Sequence, residues 1–251
     1  MSKFIPIQQA GGPIIFRQLF ESLTSTYTYL IADRKTKEAI LIDPVYETVD
    51  RDAKLITSLD LKLTKILNTH IHADHVTGSG KLKQIFPKAK SYISREYDKY
   101  NAQADVKLEH NHKISFGDFN LLAKSTPGHT DGCLTFVFPE GGVAFTGDAL
   151  LIRGCGRTDF QDGDAGLLYD KIHAEILSLD EDYLLFPAHD YSGATVTSVA
   201  EEKKYNPRLT KTKDEFIKIM NNLGLAKPLQ IENAVPANLK CGIFGDGDSS
   251  T

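Results

Sequence analysis

The run Thr69-His70-Ile71-His72-Ala73-Asp74-His75 constrains this chain more than any other stretch. Three histidines and an aspartate fall within six residues. They follow directly on the apolar run Lys65-Ile66-Leu67-Asn68-Thr69, which reads as a short buried strand. Imidazole nitrogens and carboxylate oxygens are ligands for zinc or iron. In extended backbone His70 and His72 point the same way, because side chains repeat every two residues. At the start of a helix His72 and His75 share a face. One short turn can therefore direct four polar groups at one spot. A histidine-rich surface loop is the plain alternative, and clustering this dense argues against it.

Other ligand-type residues stand at predicted strand ends. Ser125-Thr126-Pro127-Gly128-His129-Thr130 closes one strand, Thr146-Gly147-Asp148 a second, and Phe186-Pro187-Ala188-His189-Asp190 a third. Gly147 allows a sharp backbone turn before Asp148. Any one of these alone reads as an ordinary hydrogen-bonding residue. Together with the first cluster they read as one site, since sites in open α/β sheets lie outside strand ends.

The rest of the chain supplies a frame. Tyr27 to Ala32 and Glu38 to Asp43 form a hairpin around a polar turn, and Asp43-Pro44 ends the second strand. Helices are expected over 49–59 and over 79–86, where Pro87 stops the second. Strands follow at 89–93, 119–124, 134–138 and 143–146, with 101–112 left as a polar stretch. A helix at 167–177, a strand at 183–186 and helices at 197–205 and 212–223 complete the pattern. Strands first, with helices among or after them, suggest a sheet sandwich with helices outside. Residues 1–244 read as one domain and 245–251 as a flexible tail.

Composition narrows the function. Hydrophobic residues make up 41% and charged residues 25% of 251, as in ordinary globular proteins. The formal net charge is -4 and no Lys/Arg block marks a nucleic-acid surface, so a small-molecule substrate is expected. No apolar run approaches the ~20 residues of a membrane span. The N-terminus reads as neither signal nor transit peptide. Three cysteines, Cys133, Cys155 and Cys241, are too few for a disulfide framework. A reducing, cytoplasmic setting is expected.

The series His70-x-His72-x-Asp74-His75, His129, Asp148 and His189 resembles the metal-binding set of the metallo-β-lactamase superfamily. That resemblance implies an αββα sandwich of two mixed sheets with the metal at one edge. Within the superfamily, Gly147 to Gln161, Pro187-Ala188-His189-Asp190-Tyr191, Asn206-Pro207-Arg208-Leu209 and Ala234 to Gly242 resemble persulfide dioxygenases. Only about sixty residues follow His189, fewer than the larger helical C-terminal domain usual in glyoxalase II.

The resemblance implies one Fe(II) held by His70, His129 and Asp148, with zinc as a possible substitute. Two imidazoles and a carboxylate leave positions open for substrate and O₂. His72, Asp74, His75 and His189 match positions that orient ligands and water in the dioxygenases, or bind a second metal in the hydrolases. The implied reaction turns glutathione persulfide and O₂ into sulfite and glutathione. Glutathione carries two carboxylates, so Arg157 and Arg208 are the expected grips and Tyr191 a hydroxyl donor. Cys155 is a candidate sulfur contact, against a plain packing role. His110, His112 and His173 are read as solvated. Family members are often dimers, so a homodimer is the expectation. Two alternatives stand beside this reading: a two-metal glutathione thioester hydrolase of the glyoxalase II type, and a non-catalytic metal- or sulfide-sensing module.

Overall fold

Neighbouring residues of the central strands enter different cores, and this alternation builds the layers. The computed structural model describes residues 3–243, and the expected tail at 245–251 lies outside the described residues. The first sheet runs in the order β1 (Ile14–Glu21), β2 (Thr26–Asp33), β3 (Glu38–Ile42), β4 (Lys62–Leu67), β5 (Lys90–Ser94), β6 (Val106–Leu108). Its β1–β2–β3 pairs are antiparallel and its β3–β4–β5–β6 pairs parallel. The second sheet runs β12 (Thr197–Ser198), β11 (Leu184–Pro187), β10 (Val143–Gly147), β9 (Leu134–Phe138), β8 (Phe119–Ser125), β7 (His112–Phe116). There only the β10–β11 pair is parallel.

Successive side chains face opposite sides of a strand, and residues two apart share a side. Tyr29 and Ile31, Ile40 and Ile42, Phe136 and Phe138, and Val143 and Phe145 share the core between the sheets. Their neighbours Leu30 and Leu41 join Val49, Ile56 and Leu82 beneath α1 (Val49–Ser58) and α2 (Ser79–Ile85). Val137 and Ala144 join Leu168, Val199 and Phe216 beneath α3 (Ala165–Lys171), α4 (Val199–Tyr205) and α5 (Lys213–Asn221). Each fully buried Leu or Phe of this kind contributes about 1.5–3 kcal/mol. The result is helix, sheet, sheet, helix, as the resemblance implies.

Several boundaries differ from expectation for local reasons. The helix expected over 167–177 is α3 followed by a π-helical turn, Ile172–Ile176. The helix expected from Thr197 begins at Val199, because Ser198 caps it and Thr197 pairs in β12. Thr212 is likewise the cap of α5, in a capping box with Glu215. The polar stretch 101–112 contains β6 and the start of β7. Four elements lie where none was expected: β1, β6, β7 and α6 (Ile231–Leu239).

Strand direction gathers the site. Because β10 and β11 are parallel, with Val143 opposite Leu184, the residues after both strands emerge at one edge. Thr26 forms an isolated bridge with His189, and Leu134 N–H donates to Thr69 O at 2.8 Å. These contacts join the two sheets where the loops after β4, β8, β10 and β11 meet.

Candidate metal centre

The loops bring two groups of ligand-type side chains together. His70, His129 and Asp148 form one, and His72, Asp74, His75 and His189 the other; within each group one ligand atom per residue lies within 4.8 Å of every other. His129 Nε2 lies 3.5 Å from Asp148 Oδ2, while His189 Nε2 lies 3.6 Å from Asp148 Oδ1. Asp148 thus turns one oxygen toward each group. Gly147, at φ +54°, makes this possible: a Cβ there would meet Thr69 Oγ1 at 2.8 Å. A Cβ on Gly156 would meet the His129 ring at 2.7 Å, which explains the small residue after Cys155.

Each imidazole has its orientation set from behind. Thr69 Oγ1 donates to Asp43 Oδ2 at 2.8 Å and so accepts from His70 Nδ1–H at 3.0 Å. His129 Nδ1–H donates to the Arg157 carbonyl at 2.6 Å. Both rings therefore present Nε2 forward. His72 is reversed: Nε2–H donates to Asp43 Oδ1 at 3.1 Å, leaving Nδ1 forward. On the far side, Thr24 Oγ1 donates to Glu21 Oε2 and accepts from Thr26 Oγ1, each at 2.7 Å. Thr26 Oγ1 then accepts from His189 Nδ1–H at 3.2 Å and lies 3.4 Å from His75 Nδ1. A buried carboxylate, Asp43 behind His70 and His72 and Glu21 behind His189, ends these chains, while His129 rests on a backbone carbonyl.

The electrostatics suit a cation. Burial first, and neighbouring imidazoles second, push His70 and His72 well below the ordinary histidine range, so both rings are neutral and able to ligate. Burial alone would raise Asp74, but His189 and His75 outweigh it and hold the carboxyl well below the usual range. Burial would lower His189, but Asp148, Asp74 and Asp43 outweigh it and raise the ring. His72 Nδ1, His75 Nε2 and Asp148 Oδ1 are buried without a hydrogen-bond partner, although such atoms ordinarily find one. Two imidazoles with one carboxylate, the donor set of the first group, match a non-haem iron site, and the orphaned atoms fit metal binding at this edge.

The remaining expected contacts fall in different settings. Arg157 grips Asp159 with two hydrogen bonds of 2.6 and 2.7 Å and donates to the Ala226 and Leu225 carbonyls. A substrate carboxylate would have to compete with Asp159 there. Arg208 has no carboxylate within 4.0 Å among the described residues, and its Nη1 donates to the Cys155 carbonyl at 3.3 Å. Tyr191 is three-quarters exposed and stacks on His189, with ring planes 5° apart. The Cys155 thiol is buried 3.6 Å from Met220 Sδ, and burial pushes it up to about 11. That is the setting of a packing residue. His173 is half-buried against Tyr169 rather than solvated.

Four supports had not been singled out from sequence. Asp43 ends a predicted strand, and the Asp-Pro pair was its only signal. Thr26 precedes the predicted strand at Tyr27 without any mark of its role. Tyr97 lies in a 3₁₀ turn, Arg95–Tyr100, where nothing was expected. Asn238 falls in the stretch 234–242 that resembles the dioxygenases; its Nδ2 donates to the His72 and His75 carbonyls at 2.8 and 2.9 Å.

Comparison with known proteins agrees with this geometry. The model of the metallo-beta-lactamase superfamily matches residues 22–189. The chain is 55% identical over 234 residues to the mitochondrial persulfide dioxygenase ETHE1 of Homo sapiens, covering 93% of this chain and 91% of that one. The crystal structure of ETHE1 from Myxococcus xanthus superposes with a TM-score of 0.86 at 48% identity, covering 91% of this chain and 100% of that one. A hydroxyacylglutathione hydrolase of Francisella tularensis subsp. novicida is 35% identical over 177 residues, covering 70% of this chain and 68% of its own. The chain belongs to the metallo-β-lactamase superfamily and, within it, to the persulfide dioxygenases.

Proposed function

We propose that this protein oxidises glutathione persulfide with O₂ to sulfite and glutathione, at a single Fe(II) held by His70, His129 and Asp148. The observation that carries this reading is the 55% identity to a persulfide dioxygenase across 93% of the chain. That similarity runs beyond the region shared with the hydroxyacylglutathione hydrolase, which covers only 70% of the chain. The two-histidine, one-carboxylate donor set supports iron.

Iron would supply Lewis acidity and hold substrate and O₂ at reacting distance. The chain's own residues prepare the site. Thr69 and the Arg157 carbonyl turn the Nε2 atoms of His70 and His129 inward. Arg208, which carries no ion pair among the described residues, is the cation proposed to grip a glutathione carboxylate. Tyr191 presents its hydroxyl at the rim beside His189. The outer sulfur of the persulfide supplies the electrons that O₂ takes up, and water completes the release of sulfite.

The test is O₂ uptake by anaerobically iron-loaded protein given glutathione persulfide, with sulfite measured in parallel. Matched uptake and sulfite, with about one iron per chain, is the expected outcome. A second reading, the two-metal thioester hydrolase, rests on Asp148 facing both groups and on the unpartnered His72 Nδ1 and His75 Nε2. Hydrolysis of S-lactoylglutathione with about two metals per chain would select it. Turnover of neither substrate would leave the sensing module.

No helix of the described residues is long and apolar enough to cross a membrane. Cytoplasmic residence and a homodimer complete the proposal. Cell fractionation tests the first and light scattering the second; three curated relatives, from Homo sapiens, Mus musculus and Bos taurus, carry "mitochondrial" in their names.

A further inference from the structure

His70 and His129 come from different sheets, so something must fix one loop against the other. His70 follows β4 of the first sheet, and His129 follows β8 of the second. Their ring centroids are 5.0 Å apart with planes at 83°. A single phenol stands between the two loops. Tyr97 is 2% exposed, and its oxygen accepts from Ile71 N–H at 3.1 Å, on the residue between His70 and His72. The same oxygen lies 2.6 Å from Thr130 Oγ1, on the residue after His129.

The direction of the chain follows from donor counting. With its lone pair facing Ile71 N–H, the phenol gives its own proton to Thr130 Oγ1. The Thr130 hydroxyl then points to Cys133 Sγ at 3.1 Å. Packing reinforces this. A Cβ on Gly132 would lie 2.4 Å from the Tyr97 ring, so the ring sits directly on the backbone of the His129 loop. The other side of the ring helps line a cavity of about 180 Å³ with Ile71, Gln161, Val235 and Leu239.

We infer that Tyr97 is a positioning residue that ties the His70 loop to the His129 loop through its hydroxyl, and so sets the angle between the two imidazoles. It belongs to neither group of ligand-type side chains. The inference rests on the proposal that these two histidines hold a metal. It does not depend on which metal or which reaction.

Tyr97→Phe tests it, because the ring and its packing stay and only the hydroxyl goes. The probe is Co(II) added to metal-free protein, read by visible absorption and by competition with a chelator. Loss of a direct partner of a metal ligand typically costs about 10–100-fold in affinity. The Tyr97 hydroxyl acts on the residues next to the two histidines, so the low end is expected and Co(II) should bind about 10-fold more weakly, with a changed band envelope. Thr130→Val should reproduce the change and Thr130→Ser should restore wild-type behaviour. In iron-loaded protein kcat should fall while KM for the persulfide stays within about twofold. Wild-type Co(II) affinity and spectrum in Tyr97→Phe would overturn the inference, whatever happens to the melting temperature. If wild-type protein itself binds no Co(II), the metal assignment fails, which is a different result from an unchanged variant.

Discussion

The two ligand groups share two carboxylates, Asp148 between them and Asp43 behind them, and little else. His70, His129 and Asp148 come from three separate strand ends and from both sheets. His72, Asp74 and His75 come from one loop, joined only by His189 from across the sandwich. Asp43 stands behind His72 directly and behind His70 through Thr69, whereas Glu21 stands behind His189 through Thr24 and Thr26. Both groups therefore hold a complete set of ligand-type side chains. The number of metals bound here is not decided by a missing side chain. It must be decided by finer placement, and substitutions that strike one group and spare the other can read it.

The largest contrast is between His70→Ala and His72→Ala. His70→Ala removes one of three ligands in the mononuclear reading, so metal content and O₂ uptake should both fall to background. His72→Ala should keep about one metal per chain and lose about 10–100-fold in activity, as for a residue that orients a ligand. Metal analysis alongside O₂ uptake makes the comparison. Equal loss of metal in both variants would move His72 into the ligand set and favour the two-metal hydrolase.

Asp43→Asn should follow in size, because it touches both groups. The carboxylate is buried and accepts from Thr69 N–H, the Thr69 hydroxyl and His72 Nε2–H. An amide can keep some of these acceptor contacts but turns an NH₂ toward others. Metal affinity should drop about 10–100-fold, measured by chelator competition. An unchanged affinity would show that the ligand loop holds its shape without the charge.

These residues also show what could be read without coordinates. The ligand cluster was legible because its members are adjacent, and His129, Asp148 and His189 because each ends a strand with clear β patterning. Asp43, Thr26, Tyr97 and Asn238 act through hydrogen bonds to residues between 26 and 166 positions away, and no local pattern encodes such a pairing. Asn238 is the extreme case: the last helix, α6, was unexpected, yet its asparagine holds the carbonyls of His72 and His75. The strand β1 escaped notice because Ile14, Ile15 and Phe16 are all buried, facing two cores at once, and so do not alternate with polar residues. Arg157 was legible as a cation near the site but not as one already paired, since Asp159 meets it only in the folded turn.

The two arginines sharpen the comparison further. Arg208→Ala should raise KM for glutathione persulfide about 10-fold with kcat nearly unchanged, the size of a lost hydrogen bond to a charged group. Arg157→Ala should instead lower the melting temperature. It strips two carbonyls and Asp159 of their donor and loosens the backbone whose carbonyl holds His129. Steady-state kinetics and thermal melts separate the two, and a wild-type KM in Arg208→Ala would remove it from the substrate site.

The smallest expected effect isolates the second group. Thr26→Val keeps the shape of the side chain and deletes the hydroxyl that faces His189 and His75. It leaves the supports of His70 and His129, which lie at Thr69 and Arg157, untouched. A neutral hydrogen bond contributes about 0.5–1.5 kcal/mol, so activity should fall only about 2–10-fold if this group merely orients water and Asp148. Metal content should then stay at the wild-type value, because no ligand of the first group has moved. A fall in metal content under the same conditions would mean that His189 or His75 binds metal directly. The hydroxyl chain from Glu21 would then support a ligand, and the two groups would form one dinuclear site bridged by Asp148.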